Sequence, residues 1–146
     1  MESNDELLVS DDNSSDDTMG ILKEYSDTRI IVFKNNFNSV NKNFEFLISK
    51  AKRDFIFLSD QDDLWMNNKI KICKINLVSN TLVLSDAKVI FNEKTIIKPI
   101  FRFRKIRKTL LVNLYKNSFM GCCMAFRKEL VEQIHFQKIH PCMIFG

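Results

Sequence analysis

Two short acidic segments are the part of this sequence best suited to chemistry. The first contains Asp11 and Asp12, and the second reads Asp60-Gln61-Asp62-Asp63. Clustered carboxylates repel one another, so several of them at one place favour a bound cation or a set of hydrogen-bond donors from a ligand. The Asp-x-Asp spacing suits Mg²⁺ or Mn²⁺, which proteins hold through one or two carboxylates together with the phosphates of a substrate.

Each acidic segment also has an interpretation that needs no ligand. Acidic side chains near the first segment could complement the dipole at a helix N-terminus, which explains Asp16 and Asp17 better than Asp11 and Asp12. The second segment could be a turn with an Asp cap before a helix near Trp65. Both segments directly follow apolar, strand-like runs, and this shared position favours the ligand-binding interpretation.

The elements that must position these side chains alternate between strand and helix. Predicted strands cover residues 6–10, 29–33, 54–59, 81–84 and 88–91, and predicted helices begin near residue 16 and cover residues 40–51 and 70–77. This order predicts an α/β fold with a mostly parallel sheet, because parallel strands need crossover connections. Ligands bind outside the carboxyl ends of strands in such a sheet, which is where both acidic segments fall.

Three details of these elements can be checked against the structure. Ser14 and Asp17 have the spacing of a capping pair, which predicts a helix beginning near Asp16. The strand at 54–59 contains a continuous apolar run at residues 55–58, as is typical of a central parallel strand buried on both faces. In the second helix, one apolar stripe is formed by Val40, Phe44, Leu47, Ile48 and Ala51.

The second half of the chain gives weaker signals. Residues 94–117 form a basic connector with some helical spacing, residues 119–126 are a strand candidate, and residues 127–134 a short helix. The net charge of +4 is modest. We interpret the basic run at 102–108 as a solvated loop, with a phosphate or nucleic-acid binder as a weaker alternative, because no stacking motif accompanies it beyond Phe101 and Phe103. We therefore predict no nucleic-acid partner.

Cysteine usage and hydropathy give expectations about location. The four cysteines have no CxxC spacing, which indicates reduced thiols in the cytosol. No apolar run approaches the roughly eighteen residues that span a bilayer. We therefore predict a cytoplasmic protein, with peripheral contact with the inner face of the membrane as an alternative.

Five segments, read together, resemble a known family. Residues 8–18 resemble its "VSDDGSTDDT" segment and residues 57–65 its "FLSDQDDLW" form of the DxD motif. Weaker matches are 36–44 to "NxGxxxNF", 84–87 to "YSDA" and 117–122 to "NxxxGC". Over about residues 6–134 the chain thus resembles family 2 glycosyltransferases, and in particular their rhamnosyltransferase-like members.

The resemblance implies a Rossmann-like GT-A fold, a nucleotide-diphosphate sugar as donor, and a divalent metal, Mn²⁺ or Mg²⁺. The acceptor it implies is a saccharide or lipid-linked saccharide in cell-surface polysaccharide synthesis. The metal ligand it implies is Asp62. The residues expected to bind the nucleotide sugar are Asp11, Asp12, Asp60, Gly121 and Cys122.

Two departures from the family pattern limit what the resemblance implies. The usual first strand, of the type "VSIIIPTYN", is missing, and so is the carboxylate of the "ED" or "HD" pair after the Gly-Cys strand. His140 has no Asp after it, and no acidic residue follows Glu132. We therefore expect residues 1–146 to be one partial domain, truncated at both ends, with weak or no activity and an unknown catalytic base. A non-catalytic module that binds nucleotide sugar and metal is the alternative.

Overall fold

The structure is a computed structural model that describes residues 2–91, 94–97 and 120–133. The chain divides into two compact units, Met1–Arg53 and Asp54–Gly146, and each is described by itself. The elements of the first unit are β1 (Leu7–Asp11), α1 (Thr18–Glu24), β2 (Ile30–Lys34) and α2 (Val40–Lys50). Those of the second are β3 (Phe55–Phe57), α3 (Lys69–Leu77), β4 (Leu82–Leu84), β5 (Val89–Phe91), β6 (Lys94–Ile97), β7 (Met124–Arg127) and α4 (Lys128–Gln133).

The first unit is built on a pair of parallel strands. β1 pairs with β2 in a register that runs from Leu7 opposite Ile30 to Asp11 opposite Lys34. Helix α1 makes the crossover that a parallel pair requires. The strand, helix, strand prediction is therefore confirmed here, and Asp11 lies at the carboxyl end of β1 as expected.

Helix α1 begins differently from the predicted capping pair. It begins at Thr18, and its N-cap residue Asp17 makes no side-chain capping hydrogen bond. The backbone N–H of Ser14 donates instead to the Asp11 carboxylate, at 3.2 Å. The prediction of Ser14 as the cap is wrong, because residues 11–14 form their own turn before the helix begins.

Helix α2 confirms its predicted extent and most of its predicted inner face. Ser39 caps it by accepting the Lys42 N–H at 3.5 Å. Four residues of the predicted stripe are partly buried, namely Phe44, Leu47, Ile48 and Ala51, whereas Val40 in the first turn is 71% exposed. Phe46, which the stripe did not include, packs edge-on against Phe33 of β2, with ring centroids 5.2 Å apart. The inner face is therefore wider than the apolar stripe.

The sheet of the second unit has the order β3-β7-β4, and the middle strand is antiparallel to both neighbours. β3 and β4 therefore point in the same direction, as a strand, helix, strand unit demands, but β7 lies between them. The α/β prediction is confirmed, whereas the mostly parallel sheet is wrong for this unit. An apolar run reports that a strand is buried and does not reveal the direction of its neighbour.

Two further corrections concern the second unit. β5 and β6 form an antiparallel pair with a register irregularity between Val89 and Ile90, and β6 lies where the sequence predicted a connector. The strand expected at 119–126 begins only at Met124, after a 3₁₀ turn at Gly121–Cys123. The helical spacing around residues 110–114 lies outside the described residues.

The core of the second unit lies between α3 and the sheet. Cys73, Leu77 and Ala125 are buried together, and Phe55, Phe57 and Val83 pack around them. Ile75 of the same helix is 62% exposed, so it lies outside this core. Arg127 of β7 ties down the end of α3 by donating to the carbonyl groups of Leu77 at 2.7 Å and Val78 at 2.6 Å. These carbonyls are among those that a helix C-terminus leaves without partners.

No helix in the described part of the chain combines the length and the apolar character that a membrane crossing requires.

The buried position of Leu77 allows a test of this core. Leu77 is 0% exposed, whereas its neighbour Val78 is 69% exposed. Leu77→Ala should lower the free energy of unfolding by about 2–5 kcal/mol, because it removes apolar contacts and leaves a cavity. Val78→Ala, the matched control, should change it by less than about 0.5 kcal/mol. Urea unfolding followed by circular dichroism measures both, and equal losses would contradict this packing.

Candidate functional site

Asp11 ends β1 with a carboxylate that is only partly satisfied. The residue is 4% exposed. One oxygen accepts the Ser14 N–H, but Oδ2 is buried and has no hydrogen-bond partner among residues that the structure describes. A buried carboxylate oxygen without a donor carries a desolvation cost. Asp11 therefore has the free acceptor that its predicted role in nucleotide binding requires, and that role stays a prediction.

The carboxylate of Asp12 is already engaged by the protein. It accepts the backbone N–H groups of Phe37, Asn38 and Ser39, at 2.5, 3.2 and 2.9 Å. The bond from Ser39 is the largest cause of a lowered pKa for Asp12, and those from Phe37 and Asn38 add to it. Asn38 has a φ of 50°, a left-handed conformation that Asn tolerates. Asp12 thus holds the turn that precedes α2, and its predicted contact with a nucleotide sugar remains untested.

A small polar network beside these acids was missed from the sequence. Ser10 Oγ donates to Asn43 Oδ1 at 2.5 Å and accepts from Asn35 at 2.7 Å. Asn43 Nδ2 returns a bond of 3.0 Å to the Ser10 carbonyl. The network joins the ends of β1 and β2 to α2. An Asn inside a helix is a weak helix former, and that could have indicated a specific partner for Asn43.

In the second unit, the acidic loop (residues 60–63) follows β3, and the chain after it packs back on that strand. The Leu58 N–H donates to the Met124 carbonyl at 3.2 Å, which extends the β3-β7 pairing by one bond. After the acidic residues, Trp65 packs on Phe57 of β3, with ring centroids 6.0 Å apart. The loop is thereby anchored at both ends to one strand, which fixes where its carboxylates can reach.

The loop places two carboxylates beside the turn that precedes β7. Ligand atoms of Asp60, Asp63 and Cys122 all lie within 4.8 Å of one another. Two of these three residues, Asp60 and Cys122, were predicted from the sequence, and Asp63 was not. Asp62, the predicted metal ligand, is exposed and lies outside this group, so its role stays a prediction.

The electrostatics of this group suit a hard cation. Partial desolvation, followed by repulsion from Asp63 and Asp62, raises the pKa of Asp60. Burial, a hydrogen bond with Asp63 and the nearby Cys123 raise the pKa of the Cys122 thiol to about 12. A protonated thiol is a poor metal ligand, whereas the carboxylates are the oxygen donors that Mg²⁺ and Mn²⁺ take. The residues therefore fit a divalent cation held through oxygen.

Gly121 and Lys69 complete the surroundings of the group. Gly121 is exposed, and a Cβ added to it would meet no described atom within 4 Å. Lys69 Nζ donates to the Cys122 carbonyl at 2.8 Å and lies 4.1 Å from the centre of the Trp65 ring. Lys69 was not predicted from the sequence. No helical spacing signals its contact with Trp65, because Trp65 lies in the loop before α3 begins at Lys69.

The fold and the site define an α/β protein with oxygen donors gathered at the carboxyl ends of its strands, the position at which such folds bind nucleotides and metals. The family model described as Glycosyl transferase family 2 matches residues 1–135. The chain therefore belongs to glycosyltransferase family 2, as its motifs predicted.

Several characterised relatives are similar to this chain. The UDP-Glc:alpha-D-GlcNAc-diphosphoundecaprenol beta-1,3-glucosyltransferase WfgD of Escherichia coli is 30% identical over 138 residues, which cover 92% of the chain and 53% of the relative. The dTDP-rhamnosyl transferase RfbG of Shigella flexneri is 38% identical over 73 residues, covering 44% and 25%. The chain thus spans about half the length of the first relative and less of the second. No solved structure matches it.

The bonds to Asp12 predict a pH-dependent contribution to stability. The pKa of Asp12 in the folded protein lies below the usual aspartate value of 3.8. The stabilisation is therefore fully present above the unfolded pKa and is lost as the pH falls through the folded pKa. Asp12→Asn should lower the urea midpoint at pH 7, since an amide offers one acceptor oxygen in place of two, and this deficit should shrink at acid pH.

A matched control for Asp12 is Asp17→Asn, because Asp17 makes no capping bond. It should leave the midpoint at pH 7 nearly unchanged. Urea titrations of both variants at several pH values measure the difference. A deficit for Asp12→Asn that stays constant down to the acid limit would show that the three backbone bonds are not its cause.

Proposed function

We propose that this chain is the donor-binding part of a GT-A glycosyltransferase, which transfers a sugar from a nucleotide-diphosphate sugar to a saccharide acceptor in cell-surface polysaccharide synthesis. The observation that carries the proposal is the meeting of Asp60 and Asp63 with Cys122, the residue after Gly121. Family membership supports the same reaction class. A nucleotide sugar needs both a cation for its phosphates and an open approach for its sugar.

The acidic loop is the proposed site of Mn²⁺ or Mg²⁺. The residues that would hold the ion are Asp62, the ligand that the family resemblance implies, and Asp63, whose carboxylate lies beside that of Asp60. When bound, such an ion acts as a Lewis acid that stabilises the charge on the departing diphosphate. In this proposal Asp60 faces the ribose, and Asp11 accepts hydrogen bonds from the base or ribose.

The turn before β7 is the proposed place of the transferred sugar. No described atom would meet a Cβ at Gly121, and this supports the proposal, because a substrate can approach the backbone where no side chain intervenes. Cys122 is buried and therefore anchors the turn in the protein interior. The protein thus contributes binding and orientation, and the acceptor hydroxyl needs a general base to take its proton.

The relatives narrow the choice of donor, acceptor and location. Their names specify UDP-Glc as donor with a GlcNAc-diphosphoundecaprenol acceptor, and dTDP-rhamnosyl transfer. We extend to this chain a donor of the UDP-glucose or dTDP-rhamnose type and a lipid-linked saccharide acceptor. A lipid-linked acceptor favours a cytoplasmic protein that contacts the inner face of the membrane peripherally, and the proposal includes no nucleic acid.

A second candidate is a module that binds the donor without turnover. The observation in its favour is that residues 133–146 contain no Asp or Glu, so the segment after α4 offers no carboxylate base. Release of sugar from radiolabelled UDP-glucose or dTDP-rhamnose separates the two candidates. Turnover that Asp62→Ala abolishes supports the transferase, whereas tight donor binding without turnover supports the module.

Metal-dependent nucleotide binding tests the acidic loop directly. Asp60→Asn, Asp62→Asn and Asp63→Asn should each weaken binding of UDP in the presence of Mn²⁺ by on the order of tenfold or more, since even outer partners of metal ligands change metal affinity by about ten- to a hundredfold. Isothermal titration calorimetry measures the affinity. Asp54→Asn is the matched control, because Asp54 precedes β3 and the loop follows it.

The result that would contradict the metal site is UDP affinity that is the same with Mn²⁺ and with a chelator. Equal losses in Asp54→Asn and the loop variants would also contradict it, since Asp54 lies at the other end of β3. Far-UV circular dichroism of each variant checks that the fold is retained.

Gly121 allows a test of the sugar position that does not disturb the fold. Its φ is not positive and an added Cβ meets no described atom, so Gly121→Ala should keep the stability of the parent protein. The methyl group should weaken UDP-glucose binding while UDP binding stays the same. Calorimetry with the two ligands, together with thermal unfolding, gives both quantities. A variant that binds both ligands like the parent would place the sugar elsewhere.

A further inference from the structure

One ammonium group joins the two chain segments that form the candidate site. Lys69 is the first residue of α3 and is half-buried. Its Nζ donates to the carbonyl of Cys122, 53 residues away in sequence, and lies over the face of Trp65. A cation over an indole ring and a charge-assisted hydrogen bond are both stronger than their neutral counterparts. Lys69 therefore couples the end of the acidic loop to the turn before β7.

On the loop side, Lys69 restrains Trp65. The Trp65 ring packs against Phe57, and its buried indole N–H has no acceptor among described residues. Ring packing against Phe57 and the Lys69 ammonium thus both contribute to holding Trp65 in place. Loss of the ammonium would leave the return of the acidic loop anchored by the Phe57 contact.

On the turn side, two carbonyl groups are each held by a different donor. The Cys123 carbonyl accepts from the N–H and the hydroxyl of Ser85, at 2.8 and 3.2 Å. The Cys122 carbonyl accepts from Lys69. Gly121 directly precedes Cys122 in the chain. By holding the Cys122 carbonyl, Lys69 therefore restrains the backbone next to Gly121.

We propose that Lys69 is a positioning residue that sets the Gly121–Cys123 turn against the acidic loop and so determines affinity for the sugar of the donor. The inference rests on the proposed function. Direct phosphate binding by a remaining ammonium N–H is the alternative that the ligand comparison below tests. Because Lys69 Nζ contacts the Cys122 carbonyl and the ring face of Trp65, we infer that Lys69 acts through the turn. It should therefore affect a nucleotide sugar more strongly than the nucleotide alone.

A comparison of two ligands tests this role. Lys69→Met keeps an unbranched chain of similar length and removes the ammonium group. It should weaken UDP-glucose binding about tenfold, the size expected for loss of a hydrogen bond to a charged group, and UDP binding by less than about twofold. Lys69→Arg, which keeps the charge and the cation–π contact, should recover most of the loss. Lys71→Met, an exposed lysine of the same helix, is the matched control. Titration calorimetry in the presence of Mn²⁺ measures all four proteins.

Three outcomes would overturn the proposal. Equal losses for UDP and UDP-glucose would make Lys69 a phosphate ligand. Unchanged affinity for both would remove any role in donor binding. A loss of UDP-glucose affinity in Lys69→Arg as large as in Lys69→Met would show that a cation at this position does not restore the site, which contradicts the positioning role.

Fluorescence gives a readout that needs no ligand. The chain contains one tryptophan, so emission excited selectively at tryptophan reports Trp65 alone. Lys69→Met should change the emission, whereas Lys69→Arg and Lys71→Met should resemble the parent protein. If the parent binds neither ligand, the proposed function fails. If the parent binds both and Lys69→Met leaves affinity and emission unchanged, the function stands and the positioning role fails.

Discussion

The antiparallel pairing of β7 with β3 is the constraint on which the candidate site depends. Antiparallel strands place the start of one beside the end of the other. Here Phe57 opposes Ala125, and the Leu58 N–H continues the ladder to Met124. The residues just before β7 and those just after β3 are therefore brought to the same edge. A parallel β7 would have carried the Gly121–Cys123 turn to the opposite edge of the sheet.

The consequences of that pairing are electrostatic. Carboxylates of the acidic loop repel one another and meet a buried thiol, and the pKa values of Asp60 and Cys122 are both raised. Such a cluster is costly unless a cation or hydrogen-bond donors offset it. Lys69 lies beside it but directs its ammonium to a carbonyl and a ring. The one lysine ammonium described beside this cluster thus contacts the backbone and a ring, and the proposed function assigns the carboxylates to a cation.

In the first unit, two aspartates at the end of β1 have different surroundings. Asp11 and Asp12 are adjacent in sequence, yet one keeps a buried oxygen without a donor and the other is satisfied by three backbone N–H groups. Side chains of neighbouring residues leave a strand end in different directions, so the two carboxylates meet different surroundings. Asp12 binds and positions the turn before α2, whereas Asp11 keeps one carboxylate oxygen without a described donor.

The sequence by itself determined the order of strands and helices as far as β5, the acidic segments and the family, because each is encoded in local periodicity or in a short motif. It did not determine the presence of β6, the direction of β7 or the partners of Asp12. Phe46 and Asn43 face inward because of what β1 and β2 present to them, which a helical pattern does not contain. Lys69 acquired its place through a contact with Cys122, 53 residues away. Only the tertiary structure decides such contacts, because pairing between distant segments leaves no signal in the residues of either segment alone.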